Sequence, residues 1–116
     1  MKNFLKQLFG GFGEDEGTLT PVDGEDAVRK CITVAGQVQG VGFRYFVRLE
    51  AHKLGVTGWV MNLNDGTVTM EVQCTPPVLK EFINRIQKGN GYSKIVQMKS
   101  YDLEVIKGEN KFGIKY

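Results

Sequence analysis

The sequence predicts an α+β sandwich, an antiparallel sheet with two helices on one face, on three observations. Apolar residues recur at helical spacing in two separate segments, after Gly42 and after Thr75. Strand-like segments surround these helices in the order β-α-β-β-α-β, with a short final strand. The two middle strands meet at Asn64-Asp65-Gly66, a strong hairpin turn. The size agrees: 116 residues make one ordinary domain, and 41% hydrophobic with 24% charged residues is the composition of a folded soluble chain. No apolar run approaches the ~20 residues that span a bilayer.

Residues 1–30 read as a flexible N-terminal extension and residues 31–116 as the domain. Phe4, Leu5, Leu8 and Phe9 can form one face of a two-turn helix, too short to be stable alone. It reads as a frayed tail, or in the sharper reading as an anchor on a partner or a membrane surface. Lys6 and Gln7 interrupt the apolar residues, so this start is not a secretory signal. Over residues 10–30, Gly10, Gly11, Gly13 and Gly17 alternate with acidic residues, and Pro21 and another acidic cluster follow. Such a linker buries too little apolar surface to offset its ordering entropy.

The regular pattern begins at Lys30. Residues 30–36 centre on the β-branched Ile32, Thr33 and Val34, with Ile32 and Val34 on one face of a strand. Phe43, Phe46, Val47, Ala51 and Leu54 then predict a helix over 43–54, ended by Gly55. Residues 56–62 and 67–73 form the hairpin, the second strand alternating Val68, Met70 and Val72. Thr75 is placed to cap the next helix, with Pro76 at its first position. Leu79, Phe82, Ile83 and Ile86 form its buried stripe and Gly89 ends it. Strands over 94–101 and 111–116 complete the split βαβ, ferredoxin-like order.

Net charge is +2 and divides unevenly, −2 over residues 1–30 and +4 over the rest. A mildly basic body suits a small anion but is weak for a nucleic-acid binder, which needs clustered Lys and Arg. Cys31 and Cys74 lack C-x-x-C spacing. Strand parity puts them on opposite sheet faces, so they are expected as free thiols of a cytoplasmic protein. His52 is the only histidine; it is expected at the surface, and no metal or cofactor is expected.

The informative stretch is Gln39-Gly40-Val41-Gly42-Phe43-Arg44, between a strand end and a helix start. The first N–H groups of a helix lack intrahelical partners and share the positive end of its dipole, a natural anion site. Gly40 and Gly42 let the backbone turn and approach a ligand, so that successive N–H groups form a nest for phosphate oxygens. Arg44 adds a planar fork matched to two of those oxygens. The bland alternative is a tight turn with a solvated arginine. The segment is neither a Walker loop nor a G-x-G-x-x-G fingerprint.

With the hairpin added, the pattern becomes specific. Gly36-Gln37-Val38-Gln39-Gly40-Val41-Gly42-Phe43-Arg44, together with Gly58-Trp59-Val60-Met61-Asn62 and Asp65-Gly66-Thr67-Val68, closely resembles the acylphosphatase family. Ala51, Leu54-Gly55 and the ending Phe112-Gly113-Ile114-Lys115-Tyr116 look like the family too, so the resemblance spans residues 31–116. It implies a ferredoxin-like sandwich that hydrolyses the carboxyl-phosphate bond of small acyl phosphates without a metal. It implies that Arg44 and the backbone of Gly40, Val41, Gly42, Phe43 and Arg44 hold the phosphoryl group, and that Asn62 orients the attacking water. The implied partners are a small acyl phosphate and inorganic phosphate, as product and competitive inhibitor. No nucleic acid or membrane partner is expected, and the chain is expected to be a monomer.

The sequence departs from the family at Gly89-Asn90-Gly91-Tyr92, where Gly-Pro is frequent, and in its extension. The loop is far in sequence from the site motifs, so little effect on catalysis is expected. Trp59, Tyr45 and Phe46 read as packing residues and Arg48 as a surface charge. Two other functions compete. One is a non-catalytic or carbamoyl-phosphate-handling module of the same family type. The other is an RRM-like RNA-binding domain, because Gly40 to Phe46 loosely resembles an RNA-binding signature that belongs on a third strand.

Overall fold

In the computed structural model residues 17–116 are described, so the apolar segment Phe4–Phe9 lies outside the described residues. The elements are β1 (Val28–Gln37), α1 (Phe43–Leu54), β2 (Thr57–Asn62), β3 (Val68–Cys74), α2 (Pro76–Lys88), β4 (Lys94–Leu103) and β5 (Phe112–Lys115). The five strands lie in the order β4-β1-β3-β2-β5. This is the expected ferredoxin-like α+β fold.

β1 runs antiparallel between β3 and β4, and the hairpin pairs β2 with β3 from Thr57↔Gln73 to Asn62↔Val68. The final strand departs from the all-antiparallel expectation. β5 lies parallel to β2, pairing Gly58 with Phe112 and Val60 with Ile114, so the sheet is mixed. This pairing lets the 104–111 connection return β5 to the edge beyond β2.

Period-two alternation builds the core. Ile32 and Val34 of β1, Val60 of β2, and Val68, Met70, Val72 and Cys74 of β3 share one buried cluster. Phe43, Val47 and Ala51 of α1 and Phe82 and Ile86 of α2 close the same cluster, so both helices cover one sheet face. Each such large side chain contributes about 1.5–3 kcal/mol through its removal from water. Gly55 ends α1 with φ 74°, its N–H bonded to the Ala51 and His52 carbonyls. Thr75 is the N-cap of α2, but its hydroxyl makes no capping hydrogen bond, contrary to expectation; Pro76 supplies the preset first turn.

The opposite sheet face is polar and unexpectedly ordered. Arg29, assigned by composition to the linker, belongs to β1 and is 2% exposed. It donates to Glu71, Gln73 and both carboxylate oxygens of Glu109 at 2.8–3.1 Å. Burial lowers its pKa, but the bonds and charge of Glu109, then of Glu71, outweigh that and raise it, so the guanidinium stays charged. The buried Gln73 amide donates to the Val22 and Ile106 carbonyls. The Leu19 N–H donates to Asn110 O at 2.6 Å, and Gly108 N–H to Asp23 at 2.7 Å. Residues 19–30 therefore attach to the 104–111 connection. Composition hides this because every partner is remote in sequence.

Cys31 and Cys74 are both free and buried. Cys74 lies in the core, whereas Cys31 sits beside Thr69 on the polar face, 3.7 Å from its hydroxyl. Burial pushes the Cys74 thiol up to about 11. No helix among the described residues is long and apolar enough to cross a membrane.

Candidate active site

The β1–α1 connection sends its side chains inward and its backbone outward. Val38 and Phe43 are buried at 1% exposure and Val41 packs against the core, while Gly40 and Gly42 face solvent. Both glycines are left-handed, with φ 74° and 75°. A Cβ on Gly40 would meet no atom within 4 Å, so the dihedral rather than space calls for glycine there.

Gly42 is the N-cap of α1 and brings no capping side chain. The Phe46 N–H bonds to Gly42 O at 3.1 Å. The N–H groups of Phe43, Arg44 and Tyr45 therefore lack intrahelical acceptors, at the positive end of the helix, with no acidic residue in its first turn.

Two side chains meet at this point, Arg44 of α1 itself and Asn62 of β2. Arg44 is half-buried and steered by the C-terminus: Nη1 lies 3.4 Å from Lys115 O, and the guanidinium carbon is 4.9 Å from the Tyr116 ring centre. Asn62 ends β2 with the pleat parity of Val60, so it points to the helix side of the sheet. Its Oδ1 is buried and has no hydrogen-bond partner. A buried acceptor without a partner is costly, on the order of 1–3 kcal/mol, and marks a place where a donor from outside belongs.

A cavity of about 180 Å³ joins these parts, lined by Val38, Gly40, Gly42, Phe43, Arg44, Tyr45 and Asn62. Five predicted site residues thus come together: Gly40, Gly42, Phe43, Arg44 and Asn62. Val41 does not line the cavity, because its side chain packs on the core. Tyr45 reverses its packing assignment, being 60% exposed and on the rim, with Arg48 5.3 Å from its ring centre. Phe46 does pack against the core. Trp59 is half-buried beneath Lys115 Nζ, 4.2 Å from its ring centre, and His52 is half-buried rather than exposed. A larger groove of about 630 Å³ runs along α2 near Pro76, Leu79 and Ile83, remote from the motifs.

Two side chains brace the loop. Gln39 Nε2 donates to the Leu63 and Thr67 carbonyls at 2.8 Å each, tying the loop to the turn that follows Asn62. Asp65 shapes that turn by accepting from the Thr67 hydroxyl (2.6 Å) and N–H (3.0 Å). Those bonds, the hydroxyl's first, hold the Asp65 carboxyl below its usual range. On the other flank Asn90 Nδ2 donates to Val41 O at 2.8 Å. The departure at Gly89-Asn90-Gly91 therefore touches the site loop. Its separation of 49 residues concealed this, and Gly-Asn-Gly signals a turn without showing where the amide points.

Gly40 to Phe46 opens a helix, not a strand, and β3 (VTMEVQC) carries no aromatic residue, which removes the RNA-binding resemblance. Among the described residues, no group of three or more His, Cys, Asp or Glu side chains could hold a metal ion.

The family model described as Acylphosphatase matches residues 30–114. The acylphosphatase of Clostridium beijerinckii is 47% identical over 89 residues, covering 77% of this chain and 99% of the relative. That of Bacillus licheniformis is 47% identical over 85 residues, covering 73% and 94%. The crystal structure of the Bacillus subtilis acylphosphatase superposes with a TM-score of 0.73 at 36% identity, covering 77% of this chain and 99% of that one.

Proposed function

The chain belongs to the acylphosphatase family, enzymes that hydrolyse acyl phosphates, and from that premise we propose how its own residues divide the work. The phosphoryl group of a small acyl phosphate enters the cavity and accepts hydrogen bonds from the 40–44 backbone and from the Arg44 fork. Asn62 Oδ1 accepts a hydrogen bond from the attacking water and sets its line of approach. The single observation that carries this reading is that orphaned, buried oxygen in a cavity shared with Arg44 and the N-terminus of α1.

Water oxygen attacks phosphorus, the bond from phosphorus to the acyl oxygen breaks, and the carboxylate leaves with its electron pair. The loose transition state and the good leaving group make positioning and charge stabilisation the main demands. Among the described residues, no His, Asp, Glu or Cys lines the cavity. The water's proton therefore passes to a phosphoryl oxygen of the substrate, and inorganic phosphate is released. A carboxamide offers both a donor and an acceptor, which suits orienting water rather than deprotonating it.

The catalytic unit begins with β1 at Val28, with residues 19–27 attached to it through the 104–111 connection. The chain works as a cytoplasmic monomer, without a metal, a nucleic acid or a membrane. Steady-state hydrolysis of benzoyl phosphate in the presence of a chelator tests this. Wild type should be active and competitively inhibited by inorganic phosphate. Arg44→Ala should raise the phosphate inhibition constant and lower kcat, each by about tenfold or more, through loss of a charge-assisted pair. Full activity in Arg44→Ala would refute the assigned phosphoryl site.

A further inference from the structure

We infer that Asn90 is a positioning residue that locks the Val41–Gly42 peptide with its N–H aimed at the phosphoryl group. The inference rests on the phosphate-cradle reading above.

A peptide that ends on a left-handed glycine, in a loop with a second one before it, is poorly constrained. On its C-terminal side the Val41–Gly42 plane meets a left-handed glycine, Gly42 with φ 75°, which carries no Cβ to bias it, and on its N-terminal side Val41 follows a second left-handed glycine, Gly40 with φ 74°. Rotation of the 41–42 plane would exchange its N–H for its carbonyl on the cavity side. An oxygen there would repel a phosphoryl group. Something must hold the plane one way.

Asn90 is built to do so. Its Oδ1 accepts from the Tyr92 and Ser93 N–H groups at 2.9 Å each, and its own N–H bonds to Ser93 Oγ at 3.3 Å. The carboxamide is thus fixed by its own turn before it meets the loop. The remaining donor, Nδ2, takes Val41 O at 2.8 Å. All peptides among the described residues are trans. In a trans peptide the carbonyl and the following N–H point in opposite directions. Pinning Val41 O to Asn90 therefore turns the Gly42 N–H away from Asn90, toward the side where Gly40, Gly42 and Arg44 line the cavity. The bond also polarises the peptide and strengthens that N–H as a donor. A Cβ built on Gly42 would stand 3.8 Å from Asn90 Nδ2, so the amide lies on the side where a side chain would be.

The discriminating variant is Asn90→Asp. It keeps an oxygen for the Tyr92 and Ser93 N–H groups but exchanges the donor to Val41 for an acceptor. Asn90→Ser is the second variant; its hydroxyl can serve the turn but is too short to reach Val41. Two readouts apply: the inhibition constant of inorganic phosphate, and the shift of the Gly42 amide resonance during a phosphate titration. Wild type should show tight inhibition and a large Gly42 shift. Both variants should weaken inhibition and raise KM about tenfold or more, the loss of one hydrogen bond to a charged group, and should lose the Gly42 shift. A merely structural role would lower the melting temperature and leave both readouts as in wild type. If either folded variant keeps its inhibition constant and Gly42 shift within twofold of wild type, the Asn90 inference fails alone. If phosphate neither inhibits wild type nor moves its Gly42 amide, the cradle reading fails and the Asn90 inference with it.

Discussion

At the scale of single residues, polar atoms near the site are either doubly satisfied or left open, and the contrast separates support from chemistry. Gln39, Asp65 and Asn90 are support: each amide or carboxylate meets backbone groups of the turns around the cavity. Asn62 Oδ1 is open. Asp65 gives a pH prediction. Its folded pKa lies below the ordinary 3.8, so its contribution is fully present above that value and is lost as pH falls through the lower folded value. The Thr67 amide resonance should therefore hold steady down to about pH 4 and move only below it. In Asp65→Asn that movement should be absent; NMR titration of both proteins checks it. The fold brings Arg44 and Asn62 to one cavity; Arg44 was legible from its place after the glycine turn and Asn62 only through the family resemblance of the hairpin. Asn90 and Tyr116 were not, since each reaches the site through contacts set by the packed fold.

Among the elements, the glycine loop and the start of α1 act as one unit. Gly42 takes φ 75° and ends the loop as the helix N-cap. Alanine at this position should cost about 1–2 kcal/mol of stability because its Cβ crowds the following carbonyl in the left-handed region. Gly42→Ala should also weaken phosphate inhibition by re-aiming the N–H groups; a melting curve and an inhibition constant measure the two effects. Unchanged values for both would show that the loop does not depend on this conformation. The range of α1 was legible to the residue because apolar spacing and Gly55 agree on it. The direction of β5 was not. Four residues, Phe112–Lys115, carry no sign of whether they run with or against β2. The attachment of residues 19–30 escaped for the same reason, since acidic and glycine-rich composition says nothing about Gln73 or the 104–111 connection waiting for it.

For the whole molecule, the sheet order explains why the cavity forms. β1 and β2 are separated by β3, yet the β1–α1 loop and the last residue of β2 meet at one end of the sheet, and β5 brings Lys115 and Tyr116 to Arg44. A buried core shared by both helices and a bonded network on the opposite face hold these parts in register. Preorganisation of this kind is what a reaction governed by positioning demands. The most direct measurement is the steady-state hydrolysis of benzoyl phosphate by Asn62→Ala, with phosphate inhibition measured in the same assay. Removing the open oxygen should lower kcat by about 100-fold or more and leave the phosphate inhibition constant within about twofold, because the N-terminus of α1 and Arg44 remain. A kcat equal to that of wild type would contradict the assignment of Asn62 to the attacking water.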